Sequence, residues 1–391
     1  MPSGKLTVVL TFTLILTLFT SAFAATEKVL YSFTGGDDGD QPYAGVIFDN
    51  AGNLYGTTQF GGVYGGGVVF ELSPSQNGWT ETVLYTFTRA TDGSLPLGGV
   101  VFDAAGNLYG TAAEGGDPDC QCGTVFKLAP TGNGWTFSVL HAFTGGKDGA
   151  LPAGGLVVGS QILGTTVSGG AFGCGTAFEL PLSGGFDWVH PLSGNNGCQP
   201  WASLAGRAAT TYNGGKYSAG NIFELSWGHH VKGLHVFNPA KPLGYYPLGA
   251  LLRDSNFNLY GTTYAGGVGG GGAVFELIWI PTRGHYKPVA LHSFSGSDGG
   301  GSASGLVMDA AGNLYGTTTY GGTDPGFDGV VFKLTPGPKN VWPETVLHSF
   351  SGGADGGAPY GTIVSDSAGN LYGTGIDGGD HGHGVVFEVT P

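Results

Sequence analysis

The chain has 391 residues, a formal net charge of −14, and 78 glycines against 14 Lys and Arg. Glycine near one residue in five excludes long helices. Hydrophobic residues at 41% exclude a disordered polar tract, and the acidic balance excludes phosphate-backbone binding, so nucleic acid is not an expected partner. A compact, turn-rich, all-β protein remains.

In chain order, Lys5 precedes an apolar run over residues 6–19, and an Ala-x-Ala site follows at Ala22 and Ala24. This pattern predicts a secretory signal peptide over residues 1–24, hence a secreted or periplasmic protein with no membrane contact after cleavage. Residues 25–391 then read as one domain. Seven copies of a Phe-Glu-Leu-like segment follow, with phenylalanines at 70, 126, 178, 223, 275, 332 and 387. A VLYSF-like segment also recurs seven times, starting at Val29. An NLYGTT-like segment is clear at Asn53, Asn107, Asn258, Asn313 and Asn370.

Each unit of roughly 52 residues holds four short β runs. In the first unit these are AGVIFD, NLYGTT, GVVFEL and WTETVLYTF. The DNAGN segment at 49–53 reads as a hairpin turn, with Gly52 supplying positive φ and Asp49 accepting turn N–H groups. Four antiparallel strands per unit at this period predict a seven-bladed β-propeller. A solenoid is the competing architecture, and it needs capping repeats that are not visible. The repeat also starts out of phase. A fourth-strand segment, residues 29–33, precedes the first unit, and the last unit ends on its third strand, residues 385–389. Pairing the two closes the ring and removes both open edges. Units three and four are irregular, so their first hairpins are expected to be stubby.

The succession VLYSF, D-G-x-x-P, DxxGNLYGTT, GG and VFEL resembles the GloVer tandem-repeat family of secreted bacterial proteins and, more distantly, NHL-type propellers with their DxxGNxY hairpin. The resemblance covers residues 29–391. It implies a secreted propeller and carries over no catalytic residues. Members often have C-terminal anchors; here Pro391 follows the last strand, which implies free secretion.

Several groups of residues point to chemistry on one face. The joints between fourth and first strands carry Asp38, Asp92, Asp148, Asp298 and Asp355. A ring of such carboxylates could bind Ca²⁺, although each Asp could equally cap its own turn, and recurrence in nearly every unit favours capping. The second-to-third-strand loops share that face and carry Phe60, Tyr64, Phe172, Tyr217, Tyr264 and Phe327, which suit sugar stacking or protein contacts. Asp377, Asp380, His381 and His383 form a segment without counterpart in other units, and HxH with nearby Asp can chelate Zn²⁺. The alternative for that segment is a polar, Gly-rich loop. The histidines at 141, 190, 235, 292 and 348 alternate with Tyr31 and Tyr85 in the fourth strand and read as packing positions with a polar tip.

Four cysteines in a chain bound for an oxidising compartment predict disulfides. Cys174 and Cys198 fall on adjoining loops of the same face and pair first, leaving Cys120 with Cys122 in a small CxC ring. Cross-blade pairing of Cys122 with Cys174 and a Cys-rich Zn²⁺ site are the alternatives. Near-identical units without a unique catalytic set predict a non-catalytic, monomeric binding protein for an extracellular carbohydrate, peptide or surface partner. The competing reading is a polysaccharide lyase or glycosidase using acidic and His residues of the same face, such as Glu114, Asp117 and Asp119.

Overall fold

A computed structural model describes residues 25–391 except 77, 227–229, 325, 339 and 340. The expected signal peptide, residues 1–24, lies outside the described residues. The chain forms seven antiparallel sheets in a ring, a β-propeller. Blade 1 comprises Ile47–Phe48, Leu54–Thr58, Val68–Ser75 and Gly78–Thr86 from axis to rim. Blades 2, 3, 5 and 6 repeat this order. Blade 7 takes its outermost strand from the chain start: Thr26–Ser32 pairs antiparallel with Val385–Thr390, from Thr26 opposite Thr390 to Ser32 opposite Val385.

Blade 4 has three strands, and its first hairpin is reduced to a single bridge between Ala205 and Ala208. The shortened segment leaves no room for both a turn and a two-residue strand. Blade 3 departs from expectation: its innermost strand, Val157–Val158, is as long as Ile47–Phe48 in blade 1.

The repeat is legible in the packing. In the second strand, Gly56 pairs with Phe70 of the third. A Cβ on Gly56 would sit 2.5 Å from Cζ of the Phe70 ring. The same cross-strand contact recurs at Gly110 with Phe126, Gly164 with Phe178, Gly261 with Phe275, Gly316 with Phe332 and Gly373 with Phe387. Seven apolar clusters form, one between each pair of neighbouring blades. The cluster between blades 7 and 1 contains Leu30 and Phe33 from the N-terminal strand with Phe70 and Val386. Ring closure therefore buries as complete a core as any other interface, which is how an edge strand escapes exposure.

The threonine after that glycine, or after Ala209 in blade 4, stitches the blades together. Its Oγ1 donates to a main-chain carbonyl of the next blade in every case: Thr57 to Pro96, Thr111 to Gly154, Thr165 to Pro200, Thr210 to Gly249, Thr262 to Ser304, Thr317 to Pro359, and Thr374 to Ala44 across the closure. These bonds span 2.8–3.4 Å. All seven threonines are buried, where an unmade hydrogen bond is costly.

Candidate binding face and channel mouth

One β-bridge per blade assembles the loop-rich face. Asp40 pairs with Phe60, Ser94 with Glu114, Ala150 with Ser168, Cys198 with Asn213, Tyr245 with Ala265, Gly300 with Tyr320, and Gly357 with Asp377. Each bridge ties the joint leading into a blade to that blade's second-to-third-strand loop. The two loop sets do share one face.

The five joint aspartates close their own turns. Asp38 accepts from the Thr34 N–H (2.9 Å) and the Thr34 hydroxyl, and from the Tyr31 hydroxyl (3.0 Å). Asp92 does the same with Thr88 and Tyr85. In later blades histidine replaces the tyrosine: His141 Nε2 lies 3.2 Å from Asp148, His292 Nε2 3.0 Å from Asp298, and His348 Nε2 3.1 Å from Asp355. Tyr31, Tyr85, His141, His292 and His348 thus each have a partner, an Asp held against the outermost strand rather than the channel. The hairpin aspartates behave likewise. Partial burial works against ionisation of Asp49, but hydrogen bonds from Asn53, Ala51 and Tyr55 outweigh it and hold the carboxyl below its ordinary value.

Of the loop aromatics, Tyr64, Phe172, Tyr217 and Phe327 are exposed, at 44% to 65%. They stand apart on separate blades. Phe60 is half-buried in its bridge, and Tyr264 is half-buried near the axis. The segment around His381 does not gather its four candidate ligands. His383 Nδ1 lies 3.0 Å from Asp40, and the Asp380 N–H donates to Ser32 Oγ. The ligand-type side chains that do converge among the described residues are His292, Asp298 and Glu344, with one atom each within 4.8 Å. In the blade 2 loop, Asp117 caps the Asp119 N–H at 2.9 Å, and Glu114 takes part in the bridge.

The cysteines pair as Cys174–Cys198 and Cys120–Cys122, with Cα atoms 4.3 and 5.2 Å apart. The first bond links the blade 3 loop to the joint entering blade 4.

A feature not apparent in the repeat lies at the axis. A channel of about 360 Å³ runs through the ring, lined by main chain and small side chains of the innermost strands. Tyr43, Trp201 and Tyr360 stand in its lining. Tyr43 stacks on Tyr360 (centroids 4.9 Å) and Tyr212 on Tyr246 (4.5 Å). Burial, with Tyr360 and Tyr264 nearby, pushes the Tyr43 hydroxyl up to about 12. Burial likewise raises Tyr212, Tyr320 and Tyr360, and Tyr264 contributes to each. Tyr264 belongs to blade 5, yet it helps raise tyrosine hydroxyls of blades 1, 4, 6 and 7. Asp377 stands beside Tyr360; burial, Asp328 and Asp40 raise its carboxyl.

Seven blades around a narrow channel, with varied aromatics on one loop face, define a repeat-built β-propeller. The Gloeobacter/Verrucomicrobia repeat matches residues 17–162 and 158–387, and the chain belongs to that family. No curated protein matches the chain. Among solved structures it is similar to a candidate 6-phosphogluconolactonase from Bacteroides uniformis, at 14% identity and TM-score 0.53, covering 82% of this chain and 88% of that one. An ancestral GH74 enzyme matches at 10% identity and TM-score 0.55, over 90% of this chain and 48% of its own. The extracellular domain of a candidate hybrid two-component system from B. thetaiotaomicron matches at 14% and 0.53, over 93% and 41%. This chain thus spans less than half of the last two. At these identities the likeness establishes the fold alone.

Proposed function

We propose that this protein is an extracellular or periplasmic, non-catalytic binding propeller that engages a carbohydrate or protein partner through its loop-rich face. Residues 1–24 would act as the secretory leader and residues 25–391 as a single monomeric domain. One observation carries the reading: recurring polar side chains of that face are consumed in closing turns, whereas the blade-specific aromatics Tyr64, Phe172, Tyr217 and Phe327 stand exposed on it. Rigid scaffolds commonly present binding residues on such loops. Two disulfides suit an oxidising compartment. No helix among the described residues is long and apolar enough to cross a membrane. The extracellular sensor domain among the structural neighbours is compatible with that location.

A glycan array, a pull-down of surface proteins and parallel turnover assays on the bound polysaccharides test the proposal. Retention without product formation is expected. Cleavage of a bound polysaccharide would refute the non-catalytic reading and favour a lyase or glycosidase working from the same face.

A further inference from the structure

The tyrosine cluster at the channel mouth has a composition unlike the rest of the face. Its members come from five blades and occupy different places in the repeat. Tyr43 and Tyr360 follow the joint proline, Tyr246 precedes it, Tyr212 and Tyr264 follow the threonine pair, and Tyr320 lies one residue further on. The two stacked pairs have interplanar angles of 22° and 24°. A third pair, Tyr264 and Tyr320, stands edge to face with centroids 6.1 Å apart. Below lies the 360 Å³ channel, at the small end of the range of roughly 300–1,000 Å³ typical of ligand pockets.

We propose that this axial tyrosine basin seats one sugar unit of a neutral saccharide, with ring faces stacking on the pyranose and phenolic hydroxyls bonding its hydroxyls. The inference rests on the proposed binding role and gives it a place and a substrate class.

Three observations select that ligand. First, no Lys or Arg lines the channel among the described residues, and the charged group that acts on Tyr360 is the Asp377 carboxyl, so an anionic ligand would meet no counter-charge in the lining. Second, the phenols come in three neighbouring pairs, Tyr43 with Tyr360, Tyr212 with Tyr246 and Tyr264 with Tyr320, with ring centroids 4.9, 4.5 and 6.1 Å apart, and Tyr264 helps raise the hydroxyls of Tyr43, Tyr212, Tyr320 and Tyr360. Clustered groups that both donate and accept suit a polyhydroxylated ligand better than a hydrocarbon or a quaternary ammonium, which needs open ring faces rather than hydroxyls. Third, the side chains of Asp377 and Tyr264 have no hydrogen-bond partner among the described residues. Both stand ready at the rim for a ligand hydroxyl. Aromatic rings supply stacking area at small entropic cost, because few torsions must be fixed.

The test uses the whole protein and isothermal titration with cellohexaose, xylohexaose and mannohexaose, and with choline as the cationic counter-probe. Three variants accompany the parent: Tyr264→Phe, which keeps the ring and removes the hydroxyl; Tyr264→Ala; and a rim triple, Tyr64→Ser, Phe172→Ser, Tyr217→Ser. Circular dichroism and melting confirm that each is folded. Binding of at least one hexaose is expected, weakened about tenfold by Tyr264→Phe, further by Tyr264→Ala, and less by the rim triple than by either Tyr264 variant. Hexaose binding lost in the rim triple but intact in both Tyr264 variants would overturn the basin while leaving a saccharide-binding face. Binding of choline alone would overturn the saccharide assignment. Binding of no hexaose overturns the inference, and a surface-protein partner retained in the pull-down would then leave the broader binding role standing.

Discussion

Replacing Phe33 by alanine tests the closed ring directly. Phe33 directly follows Thr26–Ser32, the strand that reaches blade 7 from the chain start. It is fully buried, its ring 5.2 Å from Phe70 and 5.1 Å from Tyr31, both edge-on. Its N–H donates to Gly384 O at 3.0 Å, which anchors it to blade 7. The equivalent positions elsewhere hold Phe87, Phe143, Leu192, Phe237, Phe294 and Phe350, all fully buried. Truncating a buried Phe costs about 3–5 kcal/mol. For a domain of roughly 370 residues, at about 2.1 cal/mol/K of unfolding entropy per residue, that is a fall of about 4–6 °C in melting temperature. Phe143→Ala is the matched control, since Phe143 lies 5.3 Å from Phe178 and needs no chain end to hold it. Differential scanning calorimetry of both variants should show equal losses. If Phe143→Ala loses stability while Phe33→Ala melts like the parent, the N-terminal strand is not docked and the closure is wrong, because an undocked position would behave as surface, within about 0.5 kcal/mol.

Cys198→Ser opens the 24-residue loop closed with Cys174. Loop-closure entropy puts the loss at about 3.5 kcal/mol, and an unchanged denaturation midpoint in non-reducing buffer would contradict it. Thr374→Val removes the donor to Ala44 O across the closure and should cost about 1–3 kcal/mol for the stranded carbonyl. Thr57→Val, at the interface of blades 1 and 2, should match it in urea titrations; a null effect at Thr374 alone would single out the last interface as loose. Stability should also favour mild acid. Burial first, then Asp355, Asp38 and Asp298 respectively, pushes the carboxyls of Glu27, Glu81 and Glu344 up to about 7. Folded carboxyls raised above their unfolded value hold their stabilising contribution below about pH 4.5 and lose it as pH climbs through 7. Burial pushes His235 down to about 4, so its contribution disappears instead as pH falls from 6.5 toward 4. The melting temperature should therefore fall between pH 6 and pH 8, and Glu81→Gln should raise it at pH 8 but not at pH 5. A flat profile over that range would dispose of the argument.

Much of the fold was legible because its determinants repeat. The Gly and Phe of the second and third strands recur at fixed spacing, and the offset of residues 29–33 against 385–389 announced the closure. Cys174 with Cys198 was readable for the same reason, since both fall on loops that the repeat places side by side. Two features escaped. The threonine pair was visible as a motif, but nothing in a linear pattern says that its first hydroxyl reaches into the next blade. The basin was hidden because Tyr43, Tyr246, Tyr264 and Tyr320 stand in different columns of the repeat, and their proximity exists only once the ring is closed. The usable signal was weak: bulky aromatics at columns filled elsewhere by Ala153, Gln59 or Ala113. Blade 4 was anticipated as irregular, and there the loss of five residues removed a strand altogether, whereas blade 3 absorbed its changes within a normal hairpin.

The strand pairing of blade 7 joins residues more than 350 positions apart. Closing such a loop costs about 3 kcal/mol more than closing a ten-residue hairpin, by the logarithmic dependence on length. Six blades can form from neighbouring sequence, but the seventh waits for the final strand. A polypeptide emerging N-terminus first would hold Thr26–Ser32 unpaired until residues 385–390 arrive, with a sticky edge exposed throughout. Assembly speed would then be governed by that one long-range encounter. Joining the two ends and restarting the chain in a joint between blades, so that each blade is contiguous, would hasten folding and spare the nascent chain from pairing with its neighbours, while leaving the finished ring the same.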